Sequence, residues 1–222
     1  MEKTETKQNV TAERLVLFAD IMGFKDRVLR TEHEALEKDL LELTKWSRLK
    51  PLKQGNYLRY SQFSDSILVV TDGVGKKQAN LITQAGIVLM QECLERGFPL
   101  KGAIAQGKFT YDEAKQLFFG QPLVDAYLME ESIKFYGIVL HHTAEDVMRN
   151  TAKTKLVYEK KKVFMDNGQI SHWNLCWHKI DQTLNHKKPC DWQSWLDEIE
   201  KQVSGRPRIY VDNTREILDE SK

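Results

Sequence analysis

The sequence lacks the features of a disulfide-stabilised, zinc-binding or membrane-spanning protein. Only three of its 222 residues are cysteine, and no two of them have the spacing of a zinc-binding pair. No apolar run approaches the roughly 18–20 residues that a transmembrane helix needs. The N-terminal segment is polar and has no apolar signal region. These absences predict a cytoplasmic protein that does not associate with a membrane.

The chain also lacks an excess of either charge. It has 33 Lys and Arg residues against 32 Asp and Glu residues, a formal net charge of +1. Proteins that bind nucleic acids through bulk charge carry a large basic excess, so we expect no nucleic-acid partner. A local phosphate site is still compatible with this composition. Hydrophobic residues make up 41% of the chain, which is enough for a packed core.

The first half of the chain predicts an α+β fold with a ferredoxin-like β-α-β-β-α-β core. This arrangement is one antiparallel sheet with two helices on one face. The helical segments are identified by apolar residues at helical spacing, and the strands by runs of β-forming residues. The predicted elements are a strand at 15–20, a helix at 25–49, strands at 57–64 and 65–72, a helix at 78–96 and a strand at 99–109.

The second half is expected to complete this unit. It contains a helix at 122–135, a strand at 136–141, a hairpin at 163–177 with its turn at Asn167 and Gly168, and a closing amphipathic helix at 190–203. We therefore predict a flexible tail at 1–10, a core at 11–150, and a C-terminal extension at 151–222 that packs on the core.

Two acidic residues follow predicted strands that should be neighbours. Asp20 ends the first strand, and Asp65 lies in the tight turn between the next two. Two carboxylates that converge repel each other unless a divalent cation lies between them. Magnesium or manganese prefers hard oxygen ligands, including phosphate oxygens. The pair therefore predicts a metal-dependent phosphoryl-transfer site, although either acid alone is also typical of a turn or a helix cap.

The turn after Asp20 supports this interpretation. Gly23 allows the backbone to approach a ligand closely. The N–H groups of Met22, Gly23 and Phe24 open the following helix, where a phosphate is favoured. The carbonyl of Ile21 is a candidate third metal ligand.

Four segments, in the same order, resemble class III nucleotidyl cyclases. FADIMGF at 18–24, followed 45 positions after its aspartate by the aspartate of FSDS, is similar to the two metal-binding segments of that family. KGAIAQGKF at 101–109 resembles the family's Gly-Ile strand, and FGQPLVDAYLMEE at 119–131 resembles its segment entering a late helix. The similarity covers roughly residues 15–145.

Within that family the chain is most similar to the Pycsar pyrimidine cyclases of bacterial anti-phage defence. The resemblance lies in the serine before Asp65, the string Lys101–Ile104 and the compact length. It implies conversion of UTP to 3′,5′-cyclic UMP and pyrophosphate, and a cyclic-nucleotide-activated effector that need not contact the cyclase. CTP is the alternative substrate.

The resemblance also implies the cofactors, the assembly and the site residues. The cofactors are two divalent cations, Mn or Mg, and the assembly is a homodimer with composite sites. Asp20 and Asp65 are implied as catalytic metal-binding acids, the Ile21 carbonyl as a further ligand, and Met22, Gly23, Phe24, Tyr60, Ser61 and Lys108 as substrate contacts. An ordinary strand tyrosine and a solvated surface lysine are the more common explanations for Tyr60 and Lys108, and Ser61 is equally compatible with a plain strand role. Lys101 is compatible with pairing to phosphate or to a partner-chain acid.

The chain departs from the family at two places. Ser61 stands where adenylyl cyclases usually carry lysine and guanylyl cyclases glutamate, which favours a smaller base. The family's transition-state asparagine and arginine have no clear counterpart, because Asp125, Tyr127 and Met129 occupy that region. The alternative functions are an adenylyl or guanylyl cyclase and a degenerate nucleotide-binding dimerisation module. A diguanylate cyclase is disfavoured because its Gly-Gly-acid-acid signature is absent.

Overall fold

The computed structural model describes residues 10–43, 57–151, 157–179 and 190–219. The strands are β1 (Thr11–Ile21), β2 (Leu58–Phe63), β3 (Ser66–Thr71), β4 (Leu100–Asp112), β5 (Leu117–Gly120), β6 (Ile138–Leu140), β7 (Tyr158–Met165) and β8 (Gly168–Leu175). The helices are α1 (Phe24–Arg30), α2 (His33–Leu43), α3 (Lys76–Glu95), α4 (Gln121–Ser132), α5 (His142–Arg149), α6 (Trp192–Gln202) and α7 (Arg206–Leu218).

The strands form one sheet in the order β2-β3-β1-β4-β6-β8-β7, and β5 pairs with β4. Strand β1 is central and antiparallel to both β3 and β4. The predicted α+β class and the ferredoxin-like order of the first four strands are therefore confirmed. The hairpin β7–β8 extends the same sheet, since β8 pairs with β6.

The region predicted as one helix at 25–49 contains two helices. Helix α1 ends at Arg30, because the next residue, Thr31, has an extended backbone; the Thr31 N–H donates to the Arg27 carbonyl at 2.9 Å. Helix α2 begins at His33, and the rest of the predicted helix lies outside the described residues. The sequence analysis also missed β5, α5 and α7. Of the predicted tail, only Val10 is described.

Alternation along β1 places side chains in two apolar layers. Leu15 and Leu17 belong to the main core, beneath α3, whereas Val16 contributes to a smaller cluster on the opposite face. This follows from the two-residue period of a strand. Helix α3 buries the four residues that helical spacing placed on one stripe: Ile82, Ala85, Leu89 and Cys93.

Strands β1 and β4 approach each other closely beside Asp20. A Cβ atom added at Gly102 would lie 2.7 Å from the Phe18 carbonyl oxygen and 2.9 Å from the Ala19 Cβ. Only glycine fits without a shift of the backbone. Gly102 therefore helps to fix the end of β1 that carries Asp20. Among the described residues, no helix is both long and apolar enough to cross a membrane.

Candidate metal and nucleotide site

The two acids singled out from the sequence lie at the same end of neighbouring strands. The Ile21 N–H donates to the Asp65 carbonyl at 2.9 Å, and Asp20 is opposite Ser66 in the β1–β3 register. Ser64 adopts a left-handed conformation with φ of 56°, which closes the tight turn before Asp65. Both acidic residues are partly buried. The hairpin thus brings Asp65 to the end of β1.

The electrostatic environment of Asp20 is strongly negative. Burial, followed by the charges of Glu130 and Asp65, raises the pKa of Asp20 from 3.8 to about 7, while Lys101 opposes this shift. A proton therefore binds Asp20 unusually tightly for a carboxylate. A divalent cation would be favoured there for the same reason.

The donor atoms at this position fit a hard divalent cation. Asp20 and Asp65 offer carboxylate oxygens, and the adjoining Ile21 offers a backbone carbonyl; these are ligand types that magnesium and manganese accept. Within the described ranges, no cluster of three or more His, Cys, Asp or Glu side chains is placed to hold a metal ion. An octahedral ion held by Asp20 and Asp65 would take further oxygens from water or a triphosphate.

Two of the three backbone N–H groups predicted to bind phosphate at this turn remain available to a ligand. The Met22 N–H donates to the Pro99 carbonyl at 2.8 Å, so it is already used within the fold. Gly23 has φ of 74°, which favours glycine, and it is exposed. Phe24 is buried at 8% exposure and begins α1. The N–H groups of Gly23 and Phe24 are the donors left for a phosphate.

Lys108 lies at the other end of the β1–β4 pair. Asp20 is opposite Lys101 in the register, whereas Lys108 is opposite Glu13. Lys108 lies seven positions beyond Lys101 along the strand, a path of about 23 Å. Lys108 is therefore distant along the strand from the acidic pair of its own chain.

The structure adds a hydroxyl partner for Ser61 that sequence reasoning missed. The Ser61 Oγ and the Tyr111 hydroxyl are hydrogen-bonded at 2.8 Å, and Tyr111 is only 2% exposed. Burial is the main cause that raises the pKa of Tyr111, so the hydroxyl stays neutral. Tyr60 is half-buried and packs against the main core. Nothing in the spacing links residues 61 and 111, because their contact is a tertiary one between β2 and β4.

Three predicted substrate contacts border one cavity of about 600 Å³. Phe24, Tyr60 and Ser61 line it together with Ser64, which precedes Asp65 in the hairpin turn. Apolar side chains of α1 and α2, including Leu36, form the opposite wall. Its volume is within the usual range for small-molecule sites. Of the hairpin turn, Ser64 borders this cavity, whereas neither Asp20 nor Asp65 lines it.

Lys101 forms a buried ion pair within its own chain. Its Nζ lies 2.9 Å from the Glu130 Oε1 and donates to the Glu130 backbone carbonyl at 3.0 Å. The two side chains are 8% and 4% exposed. The structure thus pairs Lys101 with an acid of its own chain, which neither sequence-based alternative included. Only the packing of α4 beside β4 reveals Glu130 as its partner.

The region in which the cyclase family carries its transition-state asparagine and arginine contains Asp125, Tyr127 and Met129. These three side chains make local contacts. Asp125 accepts from the Gln121 side chain at 2.8 Å. Tyr127 donates to Glu131 at 2.7 Å, and Met129 packs against the main core. The structure thus provides no arginine or asparagine at these positions.

The raised pKa of Asp20 has a measurable consequence for stability. Its folded-state pKa near 7 exceeds the ordinary value of 3.8, so protonation favours the folded state. That stabilisation is complete below about pH 4 and is lost as the pH rises through 7. Asp20→Asn, which resembles the protonated form, should stabilise the metal-free protein at pH 8 by about 1–2 kcal/mol, since solvent screens part of the burial effect.

Urea unfolding at pH 4, 6 and 8, with a chelator present, checks this expectation. The difference between the variant and the wild type should grow with pH. Asp26→Asn is a suitable control because Asp26 is exposed on α1. Equal stabilities of wild type and Asp20→Asn at pH 8 would contradict the electrostatic account of Asp20.

This chain resembles known proteins in its three-dimensional structure but not detectably in its sequence. Neither known protein families nor curated protein sequences match this sequence. Among solved structures, the guanylyl cyclase domain of the RhoGC fusion protein from the aquatic fungus Blastocladiella emersonii has a TM-score of 0.53 and 18% identity, covering 74% of this chain and 95% of that one.

Two further solved cyclase structures are similar to this chain in fold, at comparably low sequence identity. The guanylate cyclase domain of RhGC from Catenaria anguillulae, in complex with GTP, has a TM-score of 0.53 and 15% identity, over 74% of this chain and 96% of that one. The adenylyl cyclase CyaB from P. aeruginosa has a TM-score of 0.50 and 19% identity, over 79% and 97%. The chain described here therefore has the fold of the catalytic domains of class III adenylyl and guanylyl cyclases.

Proposed function

We propose that this protein is a metal-dependent pyrimidine nucleotide cyclase that converts UTP to 3′,5′-cyclic UMP and pyrophosphate. The observation that carries the proposal is the hydrogen bond between the Ile21 N–H and the Asp65 carbonyl at 2.9 Å. It fixes the two acid-bearing chain segments beside each other, on a fold that nucleotide cyclases share. The raised pKa of Asp20 supports a cation-binding role.

In the proposed reaction the ribose 3′-hydroxyl releases its proton to solvent, and its oxygen forms a bond to the α-phosphorus. The bond between the α-phosphorus and the bridging oxygen breaks, and pyrophosphate leaves. Two Mg or Mn ions, when bound, would lower the pKa of the attacking hydroxyl and neutralise the triphosphate. Asp20, Asp65 and the Ile21 carbonyl are the groups that would hold these ions.

The chain's remaining contribution is positioning. The N–H groups of Gly23 and Phe24 are available to orient a phosphate oxygen, and the fixed strand end keeps both acids in place. The proposed role of Lys108 is to bind the triphosphate across the dimer, because its own acidic pair is distant along the strand. Met22 is proposed to act through its backbone position, since its N–H is engaged by Pro99.

The preference for a pyrimidine rests on the neutral groups at the proposed base site. Ser61, which is hydrogen-bonded to the buried Tyr111, is neutral, unlike the charged side chain with which purine cyclases usually read a base. Tyr60, Ser61 and Phe24 border the 600 Å³ cavity that adjoins the hairpin. We propose uracil as the preferred base and cytosine as the alternative.

Exposed apolar side chains on β5 and α4 support a homodimer. Leu117 and Phe119 on β5 are 46% and 54% exposed, and Val124 and Leu128 on α4 are 50% and 55% exposed. Exposed apolar side chains that are concentrated on two consecutive elements are typical of a protein interface. We propose that a second copy covers it and that the dimer creates two composite sites.

The proposed biological role is second-messenger synthesis in bacterial anti-phage defence. It rests on the resemblance of the Asp65 and Lys101–Ile104 segments to Pycsar cyclases. The cyclic nucleotide would act on an effector that does not need to contact this protein. The proposed extension, residues 151–222, contributes strands β7 and β8 to the catalytic sheet.

A product assay tests the proposed reaction and its substrate. The purified protein is incubated with Mn²⁺ and each of the four ribonucleoside triphosphates, and products are identified by mass spectrometry. We expect cyclic UMP as the main product, at least about tenfold above the others. Cyclic CMP would support the alternative pyrimidine, and cyclic AMP or GMP would place the enzyme with the purine cyclases. Nucleotide binding without any cyclic product would support the degenerate module.

A further inference from the structure

We propose that a second cavity, between helix α1 and the C-terminal helices α6 and α7, binds a compact organic anion that carries one negative charge on an apolar body. Cyclic nucleoside monophosphates, the class of the proposed product, are anions of this type. Neither Asp20 nor Asp65 borders the cavity, so binding there does not need the proposed metal ligands. Only the choice of a cyclic nucleotide as a probe rests on the proposed function.

The size and walls of this cavity limit what it can hold. Its volume is about 380 Å³, near the lower end of the range for small-molecule sites. Apolar side chains from two parts of the chain border it: Pro99 before β4, and Ile199, Val203 and Pro207 at the junction of α6 and α7. A ligand of this cavity therefore has to be compact and partly apolar.

The second cavity is separate from the larger one described above. No residue borders both cavities. Helix α1 contributes to each of them, with Phe24 and Val28 at the larger cavity and Arg27 and Arg30 at the smaller one. The helix thus lies between the proposed base site and a second site of different chemistry.

The charged side chains at the second cavity favour an anion. Arg27 and Arg30 are three residues apart, so they are neighbours on the surface of α1. Asp26 is the acidic residue that borders the cavity, which leaves one positive charge in excess. Arg30 is exposed, and among the described residues no acid forms an ion pair with it. One excess positive charge suits a monoanion better than a polyphosphate.

The fold holds Arg27 in place without using all of its donors. Its Nη2 donates to the Gly97 carbonyl, and its guanidinium carbon lies 4.1 Å from the centre of the Phe98 ring. A guanidinium has five N–H donors. Arg27 can therefore stay docked on Gly97 and Phe98 while another of its N–H groups contacts an anion.

A buried hydroxyl at the same cavity also lacks a partner. Tyr136 is 2% exposed, and no described residue forms a hydrogen bond with its hydroxyl. The residue is fixed to α7, because its ring stacks on Tyr210 at 5.9 Å between centroids and its N–H donates to the Thr214 Oγ1 at 2.8 Å. Burial raises the pKa of Tyr136, so the hydroxyl remains a neutral donor.

A ligand accounts for both polar features of the cavity. A buried hydroxyl without a hydrogen bond costs free energy unless a ligand or a water molecule satisfies it. Water alone would satisfy Tyr136 but would not account for the two arginines. An anion with an oxygen acceptor can take the proton of the Tyr136 hydroxyl in a hydrogen bond and can pair with Arg30.

Two substitutions test these contacts separately. Tyr136→Phe removes only the hydroxyl, so the stability of the protein should be unchanged or higher, whereas the affinity for the anion should fall roughly three- to tenfold. Arg30→Gln removes an exposed charge and should lower the affinity roughly tenfold. Lys25→Gln is the matched control, because it removes the same charge from an exposed position of α1 that does not border the cavity; it should change the affinity less than about twofold.

The experiment is isothermal titration calorimetry of the full chain with cyclic UMP, cyclic CMP and benzoate, with a chelator present, together with thermal unfolding of each variant. Cyclic nucleotide binding that weakens in both Tyr136→Phe and Arg30→Gln would support a site for the product class. Benzoate binding alone, weakened in the same way, would support the site for a different organic acid.

Other outcomes overturn the inference. They are the absence of binding of every probe at millimolar concentration, and binding that is equal in wild type, Tyr136→Phe and Arg30→Gln. A loss of affinity in Tyr136→Phe that is accompanied by a lower unfolding temperature would also overturn it, because the hydroxyl would then have a structural role.

The result is distinguishable from a failure of the proposed function. Binding that depends on Arg30 should persist in Asp20→Asn, and it would support this site even if the product assay yields no cyclic nucleotide. Formation of cyclic UMP by a protein in which no probe binds in an Arg30-dependent manner would overturn this inference alone.

Discussion

Replacing Asp20 or Asp65 with asparagine should lower the rate of cyclic nucleotide formation by at least about 10³-fold. Each substitution keeps the shape of the side chain and removes the charge that a divalent cation requires. The fold should persist, because the segments are held by backbone contacts such as that from the Ile21 N–H to the Asp65 carbonyl. The measurement is product formation with saturating Mn²⁺ and UTP.

Two controls make this result interpretable. Circular dichroism and thermal unfolding should show that both variants fold like the wild type. The second control is the variant Asp72→Asn, which should retain most activity. Asp72 lies at the other end of the β2–β3 hairpin, where its backbone N–H donates to the Tyr57 carbonyl. Turnover within tenfold of wild type in either Asp20→Asn or Asp65→Asn would remove the proposed catalytic role of that acid.

Mixing two inactive variants should restore activity if the site is shared between subunits. Lys108 is distant along the strand from Asp20 of its own chain, so it is proposed to serve the acids of the partner. Asp20→Asn and Lys108→Ala homodimers should each be strongly impaired. After subunit exchange, half of the dimers are mixed and each contains one intact site, which predicts about a quarter of wild-type activity.

The matched control is a mixture of Asp20→Asn with Asp65→Asn. Both acids belong to the same half-site, so no combination of these chains creates an intact site and activity should stay at background. Native mass spectrometry of differently tagged chains measures the extent of exchange. Exchange without recovery in the Asp20→Asn and Lys108→Ala mixture would contradict the shared site.

The sequence predicted the part of the fold that depends on local pattern. Alternation and helical spacing identify β1 and α3, and the order of elements then makes β1 and β3 neighbours. The placement of the Asp65 backbone beside the end of β1 followed from that topology. The break between α1 and α2 was missed because residues on both sides have helical spacing, whereas the end of α1 depends on the extended backbone at Thr31.

The parts of the site that were missed depend on tertiary contacts. Glu130 meets Lys101 only because α4 packs beside β4, and Tyr111 meets Ser61 only because the far part of β4 approaches β2. The Met22 N–H is used by Pro99, which precedes β4 by one residue but follows α1 by many. No spacing rule connects such pairs, since their separation along the chain carries no periodicity.

The central claim is that Asp20 and Asp65 together hold divalent cations against a triphosphate. The most direct measurement is a crystal structure with Mn²⁺ and a non-cyclisable UTP analogue, with data collected at the manganese absorption edge. The claim predicts an anomalous peak about 2.1–2.3 Å from oxygens of both carboxylates and in contact with a phosphate oxygen. Bound nucleotide with manganese contacting neither acid would contradict it.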